Sequence, residues 1–441
     1  MAAPRPEHDD GAPSVSRNQS IYARVLAFAS LIIAAEAIFM LPYHVIRFFR
    51  PTLLLALDLD NTQIGLVQSA YGVVAMLAYF PGGPLADRFS ARKLLTASLL
   101  TTALGGFYFA ALPSFTGLWL LFSFWGLTTI LLFWAALIRA TREWGDPDRQ
   151  GQAYGLLDAG RGLLAAAMAS AAVAVLSFFF PEDPATLTEA DRREAIRAVI
   201  LFYTAITGAT ALLTWFFIQE PEETRAQDRG AAFPWAQIRN VLRKPTLWLQ
   251  ASIVVCAYVG YKGIDYFSLF AVDVYGLSEM EGASISATTA WIRPIAALGA
   301  GLLADRILAS RATSLGFLLI AAAYTLPFFI EVGSFTVFSL LVNVGLTSAA
   351  VYGLRGVYFA LLEEGRIPPA VTGTAVGIVS VLGYSPDVFF GPLAGWIIDT
   401  HPGLDGYQIF SGVMIGFAVV GLLASTLFTR QTRTSSFHAR A

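Results

Sequence analysis

Gly83-Pro84-Leu85-Ala86-Asp87-Arg88-Phe89-Ser90-Ala91-Arg92-Lys93 is a short charged stretch between two long apolar runs. A variant returns at Gly301-Leu302-Leu303-Ala304-Asp305-Arg306-Ile307-Leu308-Ala309-Ser310-Arg311. Asp87 and Asp305 are 218 residues apart (305 − 87 = 218), about half the chain. One such stretch is a common pattern. Two copies in register predict a charged hairpin between membrane helices, repeated within a duplicated bundle.

At these residues the chain resembles the major facilitator superfamily, whose loop signature is Gly-x-x-x-Asp-Arg followed by a glycine and basic residues. Ser90 and Leu308 stand at the glycine position, Ala91 replaces a first basic residue, and only Arg311 follows the second copy. The resemblance implies an all-α membrane protein whose hairpins latch the cytoplasmic ends of its two halves. The expected cytoplasmic gate is therefore Gly83, Asp87, Arg88 and Arg92 with Asp305 and Arg306. An acid beside a neighbouring helix N-terminus meets free N–H groups and the positive end of a dipole. The alternative is a solvated turn that merely supplies basic residues to one side.

Of 441 residues, 56% are hydrophobic and only 14% charged, with mean hydropathy +0.61, which excludes an ordinary soluble domain. A net charge of −2 leaves no basic footprint for nucleic acid. Cys256 is the single cysteine, so neither an internal disulfide nor a thiolate metal cluster is possible. His8, His44, His401 and His438 are scattered without metal-ligand spacing, and no nucleotide-binding loop or nucleophile elbow appears. We expect no cofactor, no enzyme activity, and transport driven by gradients.

Windows of about 20 apolar residues predict spans near 21–46, 62–83, 93–113, 115–138, 152–180 and 195–218. A second set lies near 246–274, 282–304, 312–331, 334–362, 370–398 and 406–429. The expected fold is twelve transmembrane helices in two six-helix bundles, 21–218 and 246–429, related by a pseudo-twofold axis. Residues 1–20 read as a disordered tail, 219–245 as a linker whose second part has the pattern of an amphipathic interfacial helix, and 430–441 as a second tail. With an even number of spans both termini share a side. Of 29 basic residues, 20 then fall with the termini and five (Arg47, Arg50, Arg192, Arg193, Arg197) opposite, the other four being intramembrane. That asymmetry predicts cytoplasmic termini in a plasma (inner) membrane.

The duplication continues inside the spans. Tyr43-His44-Val45-Ile46-Arg47 is echoed by Tyr261-Lys262-Gly263-Ile264-Asp265, again at 218 residues (261 − 43 = 218). Gly151 to Gly155 is echoed by Gly373 to Gly377 at 222 residues (373 − 151 = 222). The first echo resembles the first and seventh helices of organophosphate:phosphate antiporters, where a Tyr-rich turn carries one basic residue on each side. Lys262 and Asp265 depart from that pattern.

Ionisable residues within a span usually face a cavity or a partner. Asp158 and Arg161 share a helix face; Arg293 precedes Pro294; Arg355 lies between Gly353 and Gly356. With Tyr43, Arg47, Tyr261 and Lys262 these form the expected substrate site, supplied by spans 1, 4, 5, 7, 8, 10 and 11. A guanidinium there is completed either by a protein acid, with Asp158, Glu36 and Asp387 as candidates, or by an anionic substrate. Arg47 and Asp265 have an alternative role as a salt bridge closing the outer ends. Glu36, Asp265 and Asp387, the last following the helix-breaking Ser385-Pro386, are the candidate ion-coupling residues. The expected protein is a monomeric, proton-coupled or counter-substrate-exchanging secondary transporter for a small anionic organic solute. Carriers of neutral sugars or drug-like solutes, and a non-transporting sensor or scaffold, are the alternatives.

Overall fold

The computed structural model describes residues 21–145, 150–181, 183–218, 239, 242–329, 337–365 and 377–438. The expected tail 1–20, nearly all of the linker, the basic residues Arg149, Arg225, Arg229 and Arg366, and Gly373 of the glycine pair opening span eleven lie outside these residues. Among the described residues every regular element is helical.

Helix α1 (Tyr22–Phe48) starts where the chain turns apolar and is followed by a short α2 (Arg50–Leu57). Then come α3 (Asn61–Arg88), α4 (Ala91–Ala110), α5 (Phe115–Trp144), α6 (Gln150–Ser177) and α7 (Glu189–Phe217). The second half of the chain gives α8 (Pro245–Asp273), α9 (Glu279–Ile307), α10 (Ala309–Phe328), α11 (Val337–Val357), α12 (Pro386–Thr400) and α13 (Leu404–His438). Among the described residues ten helices are long and apolar enough to cross a membrane. Their starts are those the capping residues dictate: Asp60, Thr188 and Ser278 each close a capping box at α3, α7 and α9.

Two boundaries differ from expectation. The first hairpin is tighter than its charge pattern suggests. Gly83 to Arg88 are the last turns of α3, and only Phe89 and Ser90 form the turn, with the Ser90 hydroxyl accepting from Lys93 N at 3.3 Å. The expected tail from 430 instead continues α13 to His438.

The two hairpins are held by opposite chemistry. Arg139 of α5 donates to the carbonyls of Ala86 and Phe89, where α3 runs out of amide partners. At the second, Glu364 accepts from Ser310 N at 2.9 Å and from its hydroxyl, capping α10.

Helices from the two halves of the chain meet chiefly as α3 on α12 and α6 on α9. The first contact needs glycine. A Cβ on Gly65 or Gly395 would strike the backbone of Gly391 or Asn61, and one on Gly72 would lie 2.6 Å from Asp387 C. On the side of the chain termini, Gly83, Gly155, Gly301 and Gly377 have no described atom within 4 Å of that position. Among the described residues the halves therefore touch at the face opposite the termini. On the closed face Asp399 of α12 caps α3, accepting from Asn61 N (3.2 Å) and Thr62 N (2.7 Å), while Arg192 of α7 meets Glu279 of α9 at 2.6 Å.

Candidate functional site

The helices are interrupted where the charges sit. A π-turn over Met40–His44, at Pro42, re-aims Tyr43 and His44. A second π-stretch, Leu127–Trp134, widens α5 beside them. A 3₁₀ turn, Ile264–Tyr266, breaks α8 between Lys262 and Phe267, and turns at 290–291 and 384–385 precede Arg293 and Asp387. Irregular backbone of this kind survives at membrane depth only where it is enclosed by protein or lines a cavity.

Here it lines one. A cavity of about 110 Å³ is walled by Tyr43, Tyr71, Tyr79, Trp134, Tyr258, Tyr261 and Tyr384, with Glu36, His44, Arg47, Arg161, Arg293, Arg355 and Asp387 among its lining residues.

The charges fall into three sets. In the first, Glu36 faces Arg161 Nε at 3.2 Å, Arg293 Nη1 at 3.8 Å and His44 Nε2 at 3.2 Å. Arg293 also reaches Asp158 at 3.3 Å, and Asp158 lies 3.9 Å from Arg161. Two carboxylates thus meet two guanidiniums, and Arg293 crosses between the halves to do so.

In the second, Arg47 Nε lies 2.5 Å from Asp265 Oδ1, and Arg47 Nη1 donates to Tyr261 Oη at 2.6 Å. Lys262 Nζ sits 3.1 Å from Asp265 Oδ2 and 3.4 Å from Asp387 Oδ1. Asp387 Oδ2 accepts from Tyr258 at 2.9 Å and Tyr43 at 3.4 Å. Again two cations meet two carboxylates. Arg47 and Asp265 are separated by 218 residues, the offset that relates the two hairpins. The contact is reciprocal: Arg47 lies over the ring of Tyr261 at 4.3 Å, and Lys262 over the ring of Tyr43 at 5.1 Å. Each basic residue thus rests on the tyrosine of the other half.

The third set is Arg355 alone. Its guanidinium lies against Tyr261 (3.9 Å) and Tyr258 (5.8 Å), and its Nη1 is buried with no hydrogen-bond partner. No described carboxylate lies within 4 Å of it.

The expected substrate residues Tyr43, Arg47, Asp158, Arg161, Tyr261, Lys262, Arg293 and Arg355 are thus gathered around one centre, with Glu36, Asp265 and Asp387 as their counter-charges. Glu36 is not isolated in its helix; it is the hub of the first set. Lys262 and Asp265 lie behind the wall, and Asp158 is more than half exposed at its edge. The gate residues lie elsewhere. Asp87, Arg88, Asp305 and Arg306 are exposed on the final turns of α3 and α9, and Arg92 lies 4.9 Å from the ring of Trp215.

Sequence reasoning missed the aromatic wall, His44, and the Asp399 cap. Tyr71 and Tyr79 are eight residues apart and Tyr258 and Tyr261 three apart, spacings that share a helix face. That signal was present. Nothing local marked Asp399, whose partners are 337 and 338 residues away. Arg50, counted with the basic residues opposite the termini, is buried, donating to Asn61 at 2.8 Å and resting on Tyr266 at 4.1 Å.

A polar cavity enclosed by helices able to cross a membrane, with its walls drawn from both halves of the chain, is the architecture of a multi-pass membrane transporter rather than an enzyme. The chain belongs to the Major Facilitator Superfamily, whose model matches residues 32–389. It is 28% identical over 411 residues to YihN, an inner membrane protein of Escherichia coli (strain K12), covering 92% of this chain and 95% of that one. It is 22% identical over 392 residues to a hexuronate transporter of Bacillus subtilis (strain 168), covering 85% and 87%. Among solved structures it resembles a bacterial homologue of the human lysosomal transporter Spinster in an inward-facing and occupied conformation. That match has a TM-score of 0.67 at 17% identity, and covers 94% of this chain and 97% of that one.

Proposed function

We propose that this protein is a secondary transporter that moves a small organic anion by alternating access. Twelve spans form two six-helix bundles about a pseudo-twofold axis, with both termini in the cytoplasm. In that orientation the described state is closed to the outside and parted toward the cytoplasm. The carrying observation is Arg355: among the described residues five cations around the cavity face four carboxylates, and the one left over is a guanidinium with an unsatisfied N–H. A guanidinium keeps its charge at any cellular pH and matches a carboxylate in a planar fork. The tyrosine hydroxyls and rings around it suit a hydroxylated solute, and the hexuronate transporter among the relatives favours a sugar acid over a phosphate ester.

A proton or counter-substrate supplies the driving force. Asp387 supports a coupling role best, because it is half-buried at a helix break, held by two tyrosines and the farther of Lys262's two carboxylates. Glu36 is closed in by two guanidiniums, whose pairing needs its charge.

The test is Arg355→Lys, which keeps the charge and loses the fork. Anion binding by the purified protein should weaken by roughly 1–3 kcal/mol, the scale of a hydrogen bond to a charged group, with expression unchanged. A variant that binds and transports the anion normally would remove Arg355 from the site. A parent that carries only neutral solutes would end the anion reading.

A further inference from the structure

We infer that the cavity selects its substrate by valence: it takes solutes carrying one negative charge and rejects those carrying two. This rests on the anion reading above and sharpens it. With all four carboxylates ionised, Asp387 holding no coupling proton while the anion is bound, each of the two paired sets is neutral, every carboxylate facing a cation within 4 Å: Glu36 and Asp158 with Arg161 and Arg293, Asp265 and Asp387 with Arg47 and Lys262. His44 Nε2 faces Glu36 and is counted as neutral. Among the described residues around the cavity Arg355 contributes the one uncompensated charge.

Transport passes through a state closed at both faces, where the binding centre is cut off from bulk water. Charge left over in such a centre is strongly disfavoured, and charge paired at close range is tolerated. One carboxylate on Arg355 brings the closed centre to zero. A second has no free cation to meet. Arg47 Nη2 has a hydrogen bond to spare, but the charge of Arg47, like those of Arg161, Arg293 and Lys262, is already matched by a protein carboxylate, so a second substrate carboxylate leaves the closed centre with one negative charge over. The tyrosines offer hydrogen bonds to hydroxyls without changing this count, so valence, not the number of polar groups, is the discriminating property.

The experiment uses the full chain, purified, with three matched sets of compounds: galactose, galacturonate and galactarate; glycerol, lactate and malate; glucose, gluconate and glucarate. Binding is read by thermal shift and, for those that stabilise, by calorimetry. The monoanion of at least one set should bind at least tenfold more tightly than both its neutral and its dianionic counterparts. Asp158→Asn, at the exposed edge of the site, and Asp387→Asn each add one net positive charge. Each should move the dianion-to-monoanion affinity ratio upward by at least tenfold. His44→Gln keeps the count and should keep the parental ratio. A parent that prefers the dianion, or a ratio unmoved by both Asn variants, overturns valence selection while leaving an anion carrier. A ratio shifted by His44→Gln overturns the count. Neutral members binding as well as the anions, or none of the nine compounds binding, overturns the anion reading and this inference with it.

Discussion

At the scale of single residues, the contact between Arg47 and Asp265 carries the most information. Two positions equivalent under the 218-residue offset bear opposite charges and meet at 2.5 Å, both buried. A buried pair is costly to break from one side, about 3–5 kcal/mol, because the remaining charge is stranded. Asp265→Asn should therefore destabilise strongly, since it strips a carboxylate from both Arg47 and Lys262. Adding Arg47→Gln should return part of that loss. Melting temperatures of the two single variants and the double variant, combined in a double-mutant cycle, should give a coupling above about 1 kcal/mol; additive losses would mean the pair is not a unit. These residues were legible in the sequence as charges in unusual places, and the echoed Tyr43 and Tyr261 turns pointed to their equivalence. Their partners were not legible. Whether Arg293 meets Glu36, a substrate or Asp387 depends on helix rotations and on breaks at 264–266 and 290–291 that no local pattern specifies. Arg355 stood out only after every other cation had been paired.

At the scale of elements, apolar length located most helices to within a few residues, because a span must be about 30 Å long. The interruptions were harder. Pro42 and Pro386 were visible, but the π-stretch at Leu127–Trp134 contains neither Gly nor Pro and arises from how α5 packs on α3 and α4. The departure of the second hairpin from the family signature does have a local cost. Leu308, at the glycine position, has φ 86° and ψ 143°, a region a side chain enters only under strain of order 1–3 kcal/mol. Its side chain is nearly half exposed, so little packing depends on it. Leu308→Gly should raise the melting temperature, with a net gain near 1 kcal/mol after the greater backbone entropy that glycine loses on folding. An unchanged or lower melting temperature would show that the leucine side chain stabilises the loop by more than its backbone strain costs.

At the scale of the molecule, the two faces make opposite demands, and two substitutions should push the protein in opposite directions. The closed face rests on backbone contact between α3 and α12 at Gly65, Gly391 and Gly395, reinforced by the Asp399 cap. A side chain at Gly65 cannot fit without parting these helices, so Gly65→Val should drive the population away from the described state. On the other face Asp87 is exposed at the end of α3, with no bond to a described residue. If it caps a helix of the other half when that face closes, its charge stabilises only the alternative state, by roughly 0.3–1 kcal/mol. Asp87→Asn should then enrich the conformation seen here. Both shifts can be read from one reporter. No described atom lies within 4 Å of a Cβ placed at Gly155, and the chain's single cysteine, Cys256, is buried and contributes little background. With Gly155→Cys as the label site, modification from the side of the chain termini should rise with Asp87→Asn and fall with Gly65→Val. A labelling rate indifferent to Asp87→Asn in a normally inserted protein would reduce the hairpin acids to solvated turn residues.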